Sequence, residues 1–214
     1  MVRIDGKLYR ICTWIYSFFF LNIIFLISCL PVITIYPATA ALFGVVREWV
    51  NKKEPPIYST YRDLFKENLK QSFTVGILMT LISLILIGDF YLLTKLNTSM
   101  NLFIFSSVSL ISFCLFVTIL YLFPLMVNSH YCLKDLIFTS FKFGLYRFSM
   151  TVANLIVLSC WLYFSLTYSF FLLFFFFSVS AFMTYWFAGQ KLTRLEKESK
   201  SAPRISPSHL GMTE

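Results

Sequence analysis

Charge is scarce in this sequence: Asp, Glu, Lys and Arg supply 13% of its 214 residues, against 58% apolar and 20% aromatic. With a mean hydropathy of +0.75, the chain carries more hydrocarbon than a water-soluble core of this size can hide. Its seven glycines are scattered, so no Gly-rich loop for a phosphate or a dinucleotide is present. An HExxH helix and a nucleophile elbow are missing as well. The cysteines (Cys12, Cys29, Cys114, Cys132 and Cys160) make no CxxC pair and lie mostly in apolar stretches. That excludes a disulfide framework or a metal knuckle and leaves them as small hydrophobes. His130 and Cys132 are two residues apart, a spacing that does not share a helix face, and no third ligand is near. The sequence therefore predicts no metal, no cofactor and no enzymatic activity.

What it does have is long uncharged runs. They lie between Arg10 and Arg47, Lys70 and Asp89, Lys95 and His130, and Arg147 and Lys191. Each reaches about the 17 to 25 residues that cross a bilayer as helix. The 43 residues from Phe148 to Gln190 would extend about 65 Å, roughly twice a hydrocarbon core of about 30 Å, so that run crosses twice. Its turn is expected near Leu166-Thr167-Tyr168-Ser169. The fold class is thus an all-α polytopic bundle of five to six membrane segments, at about 11–30, 37–50, 73–94, 102–127, 148–165 and 170–189. Together they form one domain over 1–195. A polar tail over 196–214, mixing Lys, Glu, Ser, Pro and Gly, is expected to be disordered. Arg3, Lys7 and Arg10 before an apolar run, with Ala38-Thr39-Ala40 downstream, imitate a signal peptide, but the run from Ile11 is too long for one.

The 36 residues from Ile11 to Val46 are long for one crossing and short for two. Pro31 and Pro37 flank a β-branched stretch, so the helix is expected to end at Leu30 and restart at Pro37. The basic residues support that hairpin. With five crossings they divide 14 to 4 between the two sides; with six they divide 17 to 1. The positive-inside rule favours six, in the cell membrane, with both termini cytoplasmic. A net charge of +8 then reflects a basic rim beside anionic headgroups and needs no nucleic acid. The lipid bilayer is the first partner.

Two basic segments read as helices on the membrane surface. In Pro55–Ser72, Tyr58, Tyr61, Leu64, Phe65 and Leu69 recur near helical spacing while Arg62, Lys66 and Lys70 fall largely elsewhere. Tyr131–Arg147 repeats the pattern with Leu133, Ile137 and Phe141. Arg62, Phe65, Lys66, Asn68 and Lys70 are the candidate docking residues. Within the membrane, Asp89 lies near a helix end with Lys95 close by, and reads as a carboxylate reaching headgroup water. Asn22 and Asn154 serve either as interhelix glue or as the lining of a substrate path. The phenylalanines from Phe170 to Phe177 read as lipid contact and packing, and Trp14 and Trp186 as an aromatic belt.

The densest signal is the break itself. Broken helices at membrane depth free backbone groups that a cavity or a ligand can satisfy. Thr34 is placed to cap the restarted helix, whose positive end favours an anion; a plain hairpin turn would need none of this. Asn22, Pro31, Thr34, Pro37 and Thr39 are the candidate intramembrane site.

Asn22, Phe25-Leu26, Cys29-Leu30-Pro31-Val32, Thr34-Ile35, Pro37-Ala38 and Ala40-Ala41-Leu42, followed by Phe65-Lys66 and Asn68-Leu69-Lys70-Gln71-Ser72, resemble the YesL-like family of bacterial integral membrane proteins. The resemblance covers about the first third of the chain. Tyr36 stands where that family usually has glycine, so the turn here is expected to avoid a conformation only glycine tolerates. The resemblance implies a domain of unknown biochemical function, associated with carbohydrate uptake in Gram-positive bacteria, and brings no catalytic residues. The function expected is a non-enzymatic accessory or regulatory protein bound to subunits of a transport system. The alternative is a small transporter or channel with its path at the Pro31–Pro37 break.

Overall fold

Pro31 divides the first apolar run. In the computed structural model, which describes residues 6–53, 55–95, 101–128, 133–146 and 148–201, helix α1 spans Lys7–Ser28. Pro31 has no N–H to offer the Ile27 carbonyl, which takes the Leu30 N–H instead at 3.3 Å. Pro31 is extended, one 3-10 turn follows over Val32–Thr34, and α2 runs over Ile35–Val50. The restart thus comes at Ile35 and not at Pro37, which sits in the first turn of α2, where its missing donor costs nothing. Among the described residues the only non-glycine with positive φ is Lys52, so the turn carrying Tyr36 uses no glycine-like conformation.

The chain continues through α3 (Ile57–Lys95), α4 (Asn101–Asn128), α5 (Leu133–Leu145), α6 (Phe148–Thr167), α7 (Ser169–Phe174) and α8 (Phe176–Ser201). No strand occurs among the described residues. Among the described residues, four helical stretches are long and apolar enough to cross a membrane: Leu8–Ser28, Ile57–Leu93, Phe103–Asn128 and Phe148–Thr167. At 16 residues, α2 measures about 24 Å, short of a hydrocarbon core of about 30 Å. The residues expected as a tail continue α8 as far as Ser201, and 202–214, His130, Cys132 and Arg147 lie outside the described residues.

Two elements differ from the sequence expectation. The surface helix Pro55–Ser72 and the crossing 73–94 are one unbroken helix of 39 residues, about 58 Å long. No proline or glycine stands between Ile57 and Val75 to interrupt it. The segment 170–189 is instead divided at Phe175, whose φ of −135° and ψ of −21° leave the helical region.

The short helix α2 occupies the centre. Ten of its 16 residues are buried, from Pro37 and Ala38 to Trp49. One face packs on Leu21 and Phe25 of α1, Tyr61 and Leu64 of α3, and Ala181 and Tyr185 of α8. Ala40 joins a second cluster with Val75 and Met79 of α3, Tyr121 and Leu122 of α4, and Leu136 and Phe143 of α5. Small side chains at Ala38, Ala40, Ala41 and Gly44 let the surrounding helices approach closely. Trp14 of α1 and Trp49 of α2 meet with ring centroids 5.9 Å apart, and Phe18 lies 5.3 Å from Trp49. The start of α1 therefore lies beside the end of α2, as in an antiparallel hairpin. Trp14 is part of this packing, whereas Trp186 is exposed. On α5, Leu136, Ser140, Phe143 and Gly144 are buried, while Ile137 and Phe141 line a groove of about 420 Å³ with Met79 and Leu115.

Candidate functional site

Asn22 is fully buried and spends its amide on the second helix break. Its Nδ2 donates to the Leu173 carbonyl at 2.7 Å, and its Oδ1 accepts the N–H groups of Phe177 and Ser178, each at 3.1 Å. Those are backbone groups left without helical partners where α7 ends and α8 begins. Ser178 adds a hydroxyl donated to the Phe18 carbonyl at 2.9 Å, and Phe19 stacks on Phe174 at 5.2 Å. Sequence reasoning placed Asn22 with the Pro31 break; the structure places it at the Phe175 break. A lone amide in an apolar helix signals that a partner exists, but the phenylalanine run has no breaker residue to identify it.

At the Pro31 break the polar atoms are turned inward. The Thr34 hydroxyl, with the Ser28 carbonyl at 2.5 Å and the Pro31 carbonyl at 2.6 Å, donates toward the end of α1 and makes no cap on α2. Thr39 donates to the Ile35 carbonyl at 2.7 Å. Pro37 is buried, whereas Leu30, Pro31, Val32 and Ile33 are exposed. The outside of the turn is thus hydrocarbon, and the carbonyls released by Pro31 are met within the turn. Such a turn can face lipid. The Tyr36 ring lies on Gly76 of α3 and its hydroxyl meets Thr80.

Asn154 contrasts with Asn22. It too is fully buried and lies within reach of the Tyr121 hydroxyl, yet neither amide atom meets a partner in full hydrogen-bond geometry among the described residues. An unpaired buried amide costs about 1–3 kcal/mol. Asn154→Leu is therefore expected to leave the thermal midpoint of the detergent-solubilised protein unchanged or higher. A clear fall would show that the amide is paired.

The docking candidates separate along α3. Tyr61, Leu64, Asn68, Ser72, Val75 and Met79 form the buried stripe. Asn68 belongs to it, with its Nδ2 donating to the Leu64 carbonyl at 2.9 Å. Phe65 is half-buried beside Tyr61. Arg62, Lys66 and Lys70 are exposed, as are Asp63 and Glu67, and none of the five is ion-paired among the described residues.

Charge pairing occurs instead where α2 ends. Arg47 and Lys53 hold Glu48 at 2.9 and 3.1 Å, and Arg47 also donates to the Val127 carbonyl of α4. Tyr185 of α8 donates to Asn128 at 3.2 Å. Burial opposes ionisation of Glu48, but hydrogen bonds from Lys53 and Arg47 and their charges outweigh it, so its carboxyl titrates below the ordinary 4.5. Because the folded form binds this proton less tightly, the group stabilises the fold above its unfolded value, and the gain is lost as pH falls through the lowered one. The thermal midpoint of wild type is expected to exceed that of Glu48→Gln at neutral pH and to converge with it in acid. A difference that does not change with pH would refute this.

No three His, Cys, Asp or Glu side chains gather among the described residues. Residues 18–90 match the family described as "Protein of unknown function, DUF624". This region contains α2 and both sides of the Pro31 break. The chain is 27% identical over 179 residues to the uncharacterized protein YesL of Bacillus subtilis (strain 168), covering 80% of this chain and 83% of YesL. It is 29% identical over 141 residues to the uncharacterized protein YteU of the same organism, covering 64% and 62%. With the uncharacterized protein YesV it shares 26% over 112 residues, covering 52% and 54%. No solved structure matches.

Proposed function

We propose, for this membrane protein with its DUF624 region and its homology to YesL, a non-enzymatic accessory role: it docks to subunits of a membrane transport system. The supporting observation is the first half of α3. Its charged face is free while its other face is packed on α2, and the helix continues without a break toward Lys95. A partner seated on Arg62, Lys66 and Lys70 would therefore be coupled rigidly to the bundle. By the positive-inside rule this face is cytoplasmic, the membrane is the cell membrane, and both termini lie inside. The resemblance to the YesL-like family makes a carbohydrate transporter the favoured partner.

The test is affinity purification of the full chain in mild detergent, with solute uptake measured in a deletion strain. Transport subunits should be recovered with the wild type and lost with Arg62→Glu/Lys66→Glu/Lys70→Glu, whose thermal midpoint should stay close to wild type because all three positions are exposed. Repeated recovery of the protein alone, with uptake unchanged on deletion, overturns the proposal. Solute flux through the purified protein in liposomes would replace it with the transporter reading.

A further inference from the structure

A hollow of about 800 Å³ opens at the end of the bundle where α1 begins, α2 ends and α3 begins. Arg10, Lys52 and Lys53 line it, against a wall made by Trp14 and Trp49. We propose that this hollow binds the phosphate headgroup of an anionic phospholipid.

Three features converge on that occupant. The first is charge. Glu48 neutralises part of Lys53, but Arg10 and Lys52 have no carboxylate partner among the described residues. The Thr13 and Ser17 hydroxyls in the lining donate to carbonyls of their own helix, at 2.8 Å each, so recognition of an anion falls to the cations. The second is shape. The lining reaches from Arg10 down to Phe20, about 15 Å along α1. Tyr16, Phe20, Pro56 and Ile57 belong to the same lining, so hydrocarbon chains below a headgroup have an apolar surface to follow. A free phosphate would leave that surface unused. Trp and Tyr are characteristic of the headgroup layer, and Trp14, Tyr16 and Trp49 line this hollow.

The third is Lys52 itself. Its φ is 60°, and its N–H reaches the Trp49 carbonyl while the Lys53 N–H reaches that of Glu48, both at 2.9 Å. This is the Schellman termination, whose left-handed residue is usually glycine. Lysine is held there against backbone preference, and it places a cation in the hollow.

The decisive variant is Lys52→Gly, which suits the backbone while removing the charge. The full-length protein in neutral detergent is titrated with short-chain phosphatidylglycerol, with phosphatidylcholine and with glycerol 1-phosphate, reading the thermal midpoint and bound lipid by native mass spectrometry. Phosphatidylglycerol should bind and raise the midpoint; the other two should not. Lys52→Gly should weaken phosphatidylglycerol binding about fivefold, as loss of one membrane-surface cation does, with a lipid-free midpoint no lower than wild type. Arg10→Gln should add a similar factor. Equal binding of phosphatidylcholine, saturation by glycerol 1-phosphate, or wild-type lipid affinity in Lys52→Gly would each overturn the proposal.

Discussion

Asn22→Leu should lower the thermal midpoint of the detergent-solubilised protein by about 6–12 °C, taking roughly 3 kcal/mol at about 2–4 °C per kcal/mol for a chain this long. The substitution keeps the apolar volume but removes one donor and one acceptor serving three bonds, to Leu173, Phe177 and Ser178. Side-chain hydrogen bonds between membrane helices average only about 0.6 kcal/mol, because the separated helices find other partners. Here the orphaned groups are main-chain atoms at the Phe175 interruption, buried at Ser178 and part-buried at Leu173 and Phe177, and each costs about 1–3 kcal/mol when left unmet. The larger estimate therefore applies. A fall of less than about 2 °C, or about 0.6 kcal/mol, would mean that the interruption holds without this amide.

Gly76→Val should cost a similar amount, about 1–3 kcal/mol or slightly more, by overpacking. A Cβ at Gly76 runs into the ring of Tyr36, and that ring is fixed at its far end by Thr80. The test is a double-mutant cycle with Tyr36→Ala. The ring removed by the second change is the obstacle met by the first, so the combined loss should fall short of the sum by more than 1 kcal/mol, in the range of coupled neighbours of about 0.5–3 kcal/mol. Simple additivity would place the strain elsewhere. This pairing gives a physical reason for a tyrosine at a position where the resembled family usually has glycine: the bulk absent from α3 is supplied by α2.

Hydrophobic arithmetic predicted the helical class and the division at Pro31, because a missing donor and a bilayer's thickness act on any sequence. The interruption at Phe175 was not legible. Its cause is a side chain more than 150 positions away, and phenylalanine runs carry no local stop signal. The continuity of α3 was obscured for another reason: a charged face followed by an apolar stretch looks like two environments, although nothing in the backbone separates them. Periodicity also could not tell a protein-facing residue from a lipid-facing one. Asn68 and Arg62 were grouped together by sequence, yet one is buried on α2 and the other is exposed. The motif from Pro37 to Leu42 is the clearest case. The small residues that follow the candidate site at Asn22, Pro31, Thr34, Pro37 and Thr39 entered through the family resemblance, and the structure packs them in the crowding around α2.

That central helix also sets a schedule for biogenesis. A segment of about 24 Å falls short of crossing the hydrocarbon core by itself, and of the helices that enclose it only α1 precedes it in the chain. Its flanks are closed by α3 and α4, and by Ala181 and Tyr185 of α8, which are made well after it. Enclosure of α2 is therefore completed only once α8 has been made. Until then the face of α2 that packs on Ala181 and Tyr185 stands open.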